Sequence, residues 1–223
     1  MKIAIIGAFE EEITKLLEIF DLKKDPNTLK NVYLGNYLDK SLIVARSGIG
    51  KVNSGAMTQY IIDTYKPDLI INSGCAGSLR SDIKIMDVVI STYVTYHDFK
   101  PLRIMNFSVP DNGHIIANNT LIKIAEEATS KLENEHYHLG AICSGDSFVT
   151  NEKMRDQIRE ETGASAVDME SGSIGHICRL NNIPFVSIRT ISDFADGNDD
   201  FEELAAYKSS SLVNEMIKLL WKN

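Results

Sequence analysis

Cysteine is scarce in this chain: Cys75, Cys143 and Cys178 lie far apart, and no C-x-x-C pair occurs. An odd, scattered set excludes a disulfide framework and the paired spacing of a zinc site, and reads as reduced, mostly buried thiols. Long apolar runs are also missing. No stretch approaches the roughly 20 residues of a membrane-spanning helix. The opening "MKIAIIGAFEEE" carries one Lys and a short apolar run before its glutamates. It is too short for a secretory signal and has no cleavage site, so the expected location is the cytoplasm. Basic charge is in deficit, with 23 Lys and Arg against 31 Asp and Glu, for a net charge of -8. That balance disfavours a nucleic acid or an anionic membrane as partner, but not a small anion met locally. Two nucleotide signatures are absent as well. "SGIGKVN" is not a phosphate loop, because Ala45 and Val52 stand where the Walker pattern needs Gly and Ser or Thr. No G-x-G-x-x-G follows the first strand, which points away from a dinucleotide; neither a metal nor a cofactor is expected.

What is present is a regular alternation. The chain has 223 residues, 43% of them hydrophobic and 24% charged, enough for one domain spanning 1–223 with a well-buried core. "KIAIIGA" reads as a central strand, and the segment after it places Ile13, Leu16, Leu17 and Phe20 on one helical face. "NVYLGNYL" and "SLIVARSG" read as paired strands joined at Asp39-Lys40. Helix and strand then alternate to a closing helix from Phe201 to Trp221, with a strand expected across "ASAVDM". Short links and the absence of a low-complexity linker predict an α/β fold with a largely parallel or mixed sheet, covered on both faces. The irregular segment from Asp98 to His114 is long enough for a functional loop or lid.

In open α/β sheets, ligands bind at the carboxyl ends of the strands. Four such ends carry residues that packing does not call for: Gly7 to Glu12, Asn72 to Ser78, Asp168 to Glu170, and Arg189 to Asp193. Taken singly, each has a bland explanation. Glu10, Glu11 and Glu12 suit a helix N-terminus, "NSGCAGSL" suits a tight turn, and His97-Asp98 suits a hydrogen-bonded structural pair. Together, Glu12, Glu170 and Asp193 offer separated carboxyl groups to one cleft. Glycosidic hydrolysis needs such a set, with one group activating water and another protonating the leaving group.

In this order, "IGAFEEEI", "SGIGKVNSG", "IINSGCAGSL", "SGDSF", "VDMES" and "RTISDFAD" closely resemble the 5′-methylthioadenosine/S-adenosylhomocysteine nucleosidases of the purine nucleoside phosphorylase-like superfamily. The resemblance runs from Met1 to about Leu220. It implies a three-layer α/β/α fold around a mixed, partly barrel-like sheet, a homodimer, and an adenine nucleoside as substrate. It implies Glu12 as the water-activating carboxylate and Asp193 as the acid that protonates departing adenine. Glu170 would grip the ribose hydroxyls, with Met169 packed on the sugar and Arg189 beside it. Ser73 to Gly77, with Ala76 among them, fall in the wall near the ribose and water, and Phe148 and Val149 in the adenine segment. Phe9 falls near the ribose, Ile49 and Ser192 among the substrate contacts, and Phe201 over the 5′ substituent. Asp168 is expected to be structural, capping or pairing at the seam.

A nucleoside phosphorylase on the same fold is the main rival. Asn72 stands where the hexameric phosphorylases carry a phosphate-binding Arg, and the glutamates at the first strand end would repel phosphate, so hydrolysis is favoured. A binding protein that has lost catalysis is disfavoured by the presence of both Glu12 and Asp193. One departure concerns the 5′ group. After "YHD" the chain reads "FKPLRIMNF" where many members have a "VDVTAFGY"-like segment, so tolerance for the 5′ substituent does not carry over.

Overall fold

The computed structural model describes residues 1–37, 40–132, 136–197 and 204–221. The apolar run Lys2–Gly7 forms β1, and α1 (Glu10–Ile19) follows with three glutamates in its first turn, where they complement the helix dipole. Ile13 and Leu16 are buried beneath it. Then come β2 (Lys23–Lys24), β3 (Val32–Tyr37) and β4 (Lys40–Arg46); β3 and β4 pair antiparallel as expected. Helix α2 (Lys51–Tyr65) ends at Lys66, in the left-handed region just ahead of Pro67. The remaining elements are β5 (Leu69–Ser78), β6 (Val88–Tyr96), α3 (Met105–Ser108), β7 (Ile115–Ile116), α4 (Asn119–Thr129), β8 (Tyr137–Ser144), α5 (Glu152–Thr162), β9 (Ala166–Asp168), α6 (Ser171–Leu180), β10 (Phe185–Asp193) and α7 (Leu204–Leu220). Asn118 and Asn151 cap α4 and α5 through their side-chain oxygens.

The strands form one mixed sheet in the order β10-β6-β8-β9-β5-β1-β4-β3-β2, with β7 on β6. A further pairing of β10 with β5 closes the first five of these into a small barrel. The rest extends from it as an open wing in which β1 lies parallel between β4 and β5. Helix α7 packs on α1, α4, β5 and β10, while α2 and α6 pack together on the other side. The result is the α/β/α layering with a partly barrel-like sheet. Strand β5 is buried along its whole length because it borders β1, β9 and β10. Its near-continuous apolar start, "LIIN", is what burial on both faces demands.

Two expectations are refined. The strand expected across "ASAVDM" is confined to Ala166–Asp168, since Glu170 turns out of extended geometry (φ -132°, ψ -38°) to start α6. The segment from Asp98 to His114 is a chain of short helical turns, Leu102–Ile104, α3 and Pro110–Gly113.

Candidate active site

A cavity of about 410 Å³ opens where the barrel meets the wing, at the carboxyl ends of β1, β5 and β10. Glu12 reaches it from the first turn of α1. One oxygen, Oε2, accepts the Ala8 N–H; the other, Oε1, accepts the Cys75 N–H at 3.0 Å. Burial pushes the Glu12 carboxyl up from the ordinary glutamate range, against the pull of Arg189 and of the backbone donors.

Glu170 faces it from the start of α6. The Gly50 N–H donates to Oε1 at 2.8 Å, and an Arg189 nitrogen lies 3.5 Å from Oε2. Burial, partly countered by Arg189 and reinforced by Asp168, pushes its carboxyl up to about 7. Asp193 completes the set from the end of β10. The register of β10 on β5 slips between Ile191 and Asp193, and such a bulge re-aims the side chains beside it. Asp193 accepts from Ser192 Oγ and from the Ala195 N–H, both at 2.8 Å, and Ala195 takes a positive φ of 54° to allow this.

The three carboxylates thus come from three elements and line one cavity. Its remaining wall is mostly apolar, with Phe9 and Ile49 toward one side and Phe148, Val149 and Met169 among the rest. Ala76, Gly77 and Ser192 also line it.

Arg189 is not in the wall. It is fully buried behind it, where one nitrogen lies 2.7 Å from Asp168 Oδ2 and another 3.4 Å from Glu12 Oε1. Burial opposes its charge, but Asp168, Glu12 and Glu170 outweigh that and hold the guanidinium ionised. The expectation that Arg189 touches substrate is therefore corrected to one of bracing carboxylates. Ser73 is corrected likewise: strand alternation turns its hydroxyl to Ser209 of α7, at 3.2 Å, and not into the cavity. Phe201 lies outside the described residues.

Asp168 pairs and caps at the seam, as expected. Besides Arg189 it accepts from the hydroxyls of Ser144 and Ser171 and from the N–H groups of Glu170 and Ser171. It also forms part of the cavity wall. The His97–Asp98 pair is not made. Asp98 instead takes the Lys51 ammonium, at 2.6 Å, and the Asp146 N–H, while His97 Nε2 is buried without a hydrogen-bond partner among the described residues. "SGIGKVN" finds its use here. Gly50 and Lys51 give their N–H groups to Glu170 and Asp146, which staples the loop over the cavity.

Cys75, inside the Ser73 to Gly77 wall that the resemblance implies, lines the cavity. Its thiol lies 3.6 Å from Glu12 Oε1, and burial together with the Glu12 charge raises it far above the thiolate range. Gly74 next to it belongs to the same glycine-rich stretch. A Cβ there would stand 2.1 Å from both Arg189 Nη1 and Glu12 Oε1, so only glycine leaves room for that ion pair.

The profile of the phosphorylase superfamily matches residues 2–218. A 5′-methylthioadenosine/S-adenosylhomocysteine nucleosidase of Bacillus pumilus is 37% identical, covering 98% of this chain and 99% of the relative. The nucleosidase of that name from Neisseria meningitidis, solved with methylthio-immucillin-A, superposes with a TM-score of 0.90 at 34% identity, covering 98% and 99% of the two chains. That of Colwellia psychrerythraea, solved with adenine, gives 0.90 at 31% identity over 99% and 96%.

Proposed function

As a member of the phosphorylase superfamily, and within it of the 5′-methylthioadenosine/S-adenosylhomocysteine nucleosidases, the chain is an N-glycosidic hydrolase, and we propose that three carboxylates divide its reaction. It cleaves the bond between adenine and ribose in 5′-methylthioadenosine and S-adenosylhomocysteine, giving adenine and the 5-substituted ribose. The observation that carries the division of roles is the meeting of Glu12, Glu170 and Asp193 on one cavity with an apolar wall.

Adenine leaves readily only once its ring is protonated. Asp193, held by Ser192 and Ala195, gives that proton as the carbon–nitrogen bond lengthens. Phe148 and Val149 flank the base. The ribose then carries positive charge at its anomeric carbon, which nearby carboxylate charge stabilises in a site shielded from water. Glu12 takes a proton from the attacking water, and its burial makes it a stronger base than a free glutamate. Glu170 accepts the 2′- and 3′-hydroxyls and fixes the sugar for attack, with Met169 against its face. Arg189 is the positioning residue behind Glu12 and Glu170.

The finer parts of the reading are a cytoplasmic homodimer serving nucleoside catabolism and methionine salvage. Three free buried thiols suit a reducing compartment, and exposed Val52 and Phe107 offer apolar surface to a second copy. The direct test is chromatography of adenine released from both nucleosides, with and without phosphate. Phosphate-independent release with free 5-substituted ribose is the expected result. Release only with phosphate, as a ribose 1-phosphate, overturns the role of Glu12.

A further inference from the structure

A second cleft, of about 560 Å³, adjoins the reaction cavity and shares Ala8, Phe9 and Ile49 with it as walls. Past these residues its character changes. Met57 extends the apolar side, and the far end is lined by Lys30, Asn31, Arg46 and Asn53. Cationic lining is unexpected beside a reaction cavity built from carboxylates, in a chain of net charge -8.

The donors at this far end are not equally free. Arg46 is committed to Glu10 at 2.7 Å, and the Asn53 amide donates to the Ile49 carbonyl at 2.7 Å. The Lys30 ammonium has no carboxylate within ion-pair reach among the described residues. It lies 5.0 Å from the centre of the Tyr60 ring, a weak partner at an exposed site. Lys30 therefore supplies the uncompensated positive charge of the cleft.

Resting on the nucleosidase reading, we propose that this cleft receives the carboxylate end of a 5′ thioether substituent, with Lys30 as its cationic anchor. The methylene stem of an amino-acid tail would cross Phe9, Ile49 and Met57, and its α-carboxylate would meet Lys30 and the flanking Asn31. A methylthio group ends at the shared walls Phe9 and Ile49 and falls short of Lys30. Lys30 is thus a specificity residue that separates S-adenosylhomocysteine from methylthioadenosine without touching the reacting bond.

The test compares kcat/KM for three nucleosides: methylthioadenosine, S-adenosylhomocysteine, and the 5′-(3-aminopropyl)thio analogue that lacks the carboxylate. Lys30→Met is expected to lower the S-adenosylhomocysteine value about tenfold relative to methylthioadenosine, the size of one charge-assisted hydrogen bond. Lys30→Glu lowers it further, Lys30→Arg restores most of it, and the carboxylate-free analogue follows methylthioadenosine throughout. An unchanged ratio in Lys30→Met, or a ratio lowered equally for the carboxylate-free analogue, overturns the proposal. Failure of the underlying reading looks different: the unmodified protein would release no adenine from methylthioadenosine at all.

Discussion

The floor and the mouth of the reaction cavity are built on opposite terms. At the floor, Glu12, Glu170 and Asp193 are buried, and every one is held by at least two donors. At the mouth, Ile49 is 55% exposed and Phe148 62% exposed. The floor orients charge, which must be fixed before the reaction to be of use. The mouth offers apolar area, which is tolerant of shape. Chemistry should therefore be brittle at the floor, and substrate preference adjustable at the mouth.

The sharpest way to break this contrast is Glu12→Gln, which keeps the shape of the floor and removes its base. Turnover is expected to fall about 10³-fold with the melting temperature little changed, and a rate assay beside a melt checks both. Near-normal turnover would refute the assignment. Asp193→Asn is expected to cost about 10²- to 10³-fold, since the adenine site and the water-activating side survive it.

Acidity sharpens the contrast in two ways. Because the reaction needs Glu12 ionised and burial raises its carboxyl, kcat/KM should decline on the acid side with a midpoint above the 4.5 of a free glutamate. Stability should run the other way. The Glu170 carboxyl is raised to about 7 in the fold, so between 4.5 and that value the folded chain holds a proton the unfolded chain has lost. This contribution is full below 4.5 and disappears as pH rises through 7. It amounts to about 3 kcal/mol, or several degrees in melting temperature between pH 5 and pH 8. Glu170→Gln should flatten that slope.

Asp168→Asn tests the brace. It leaves Arg189 with Glu12 and Glu170 and is expected to lower stability by about 2 kcal/mol, with a smaller effect on rate, as a melt and an assay would show. The smallest effect belongs to the mouth. Ile49→Ala should change kcat/KM by less than about tenfold while altering the ranking of 5′ substituents.

The floor was largely legible in the sequence because its groups sit at strand ends in six ordered motifs. Glu12, Glu170 and Asp193 could each be placed from strand-end position together with the resemblance. What was not legible depends on contacts distant in sequence. The closure of the barrel through β10 on β5 joins residues far apart in the chain, and no local periodicity announces it. Ser73 was placed in the wall and Arg189 among the substrate contacts, but which face of a strand looks into a cavity depends on α7 and on the carboxylates behind. His97 and Asp98, adjacent in sequence, looked like partners, yet Lys51 of α2 claims Asp98. The mouth had no pattern to read beyond single apolar residues.

The missing side chain at residue 74 has a consequence for how this protein can change over generations. The Glu12–Arg189 contact runs through space that any other residue would fill. Shortening either charged partner to make room would draw its charge away from the contact that the room preserves. Selection for this chemistry is expected to hold glycine there, while positions such as 30 and 49 are expected to be open to drift and to selection for new 5′ substituents.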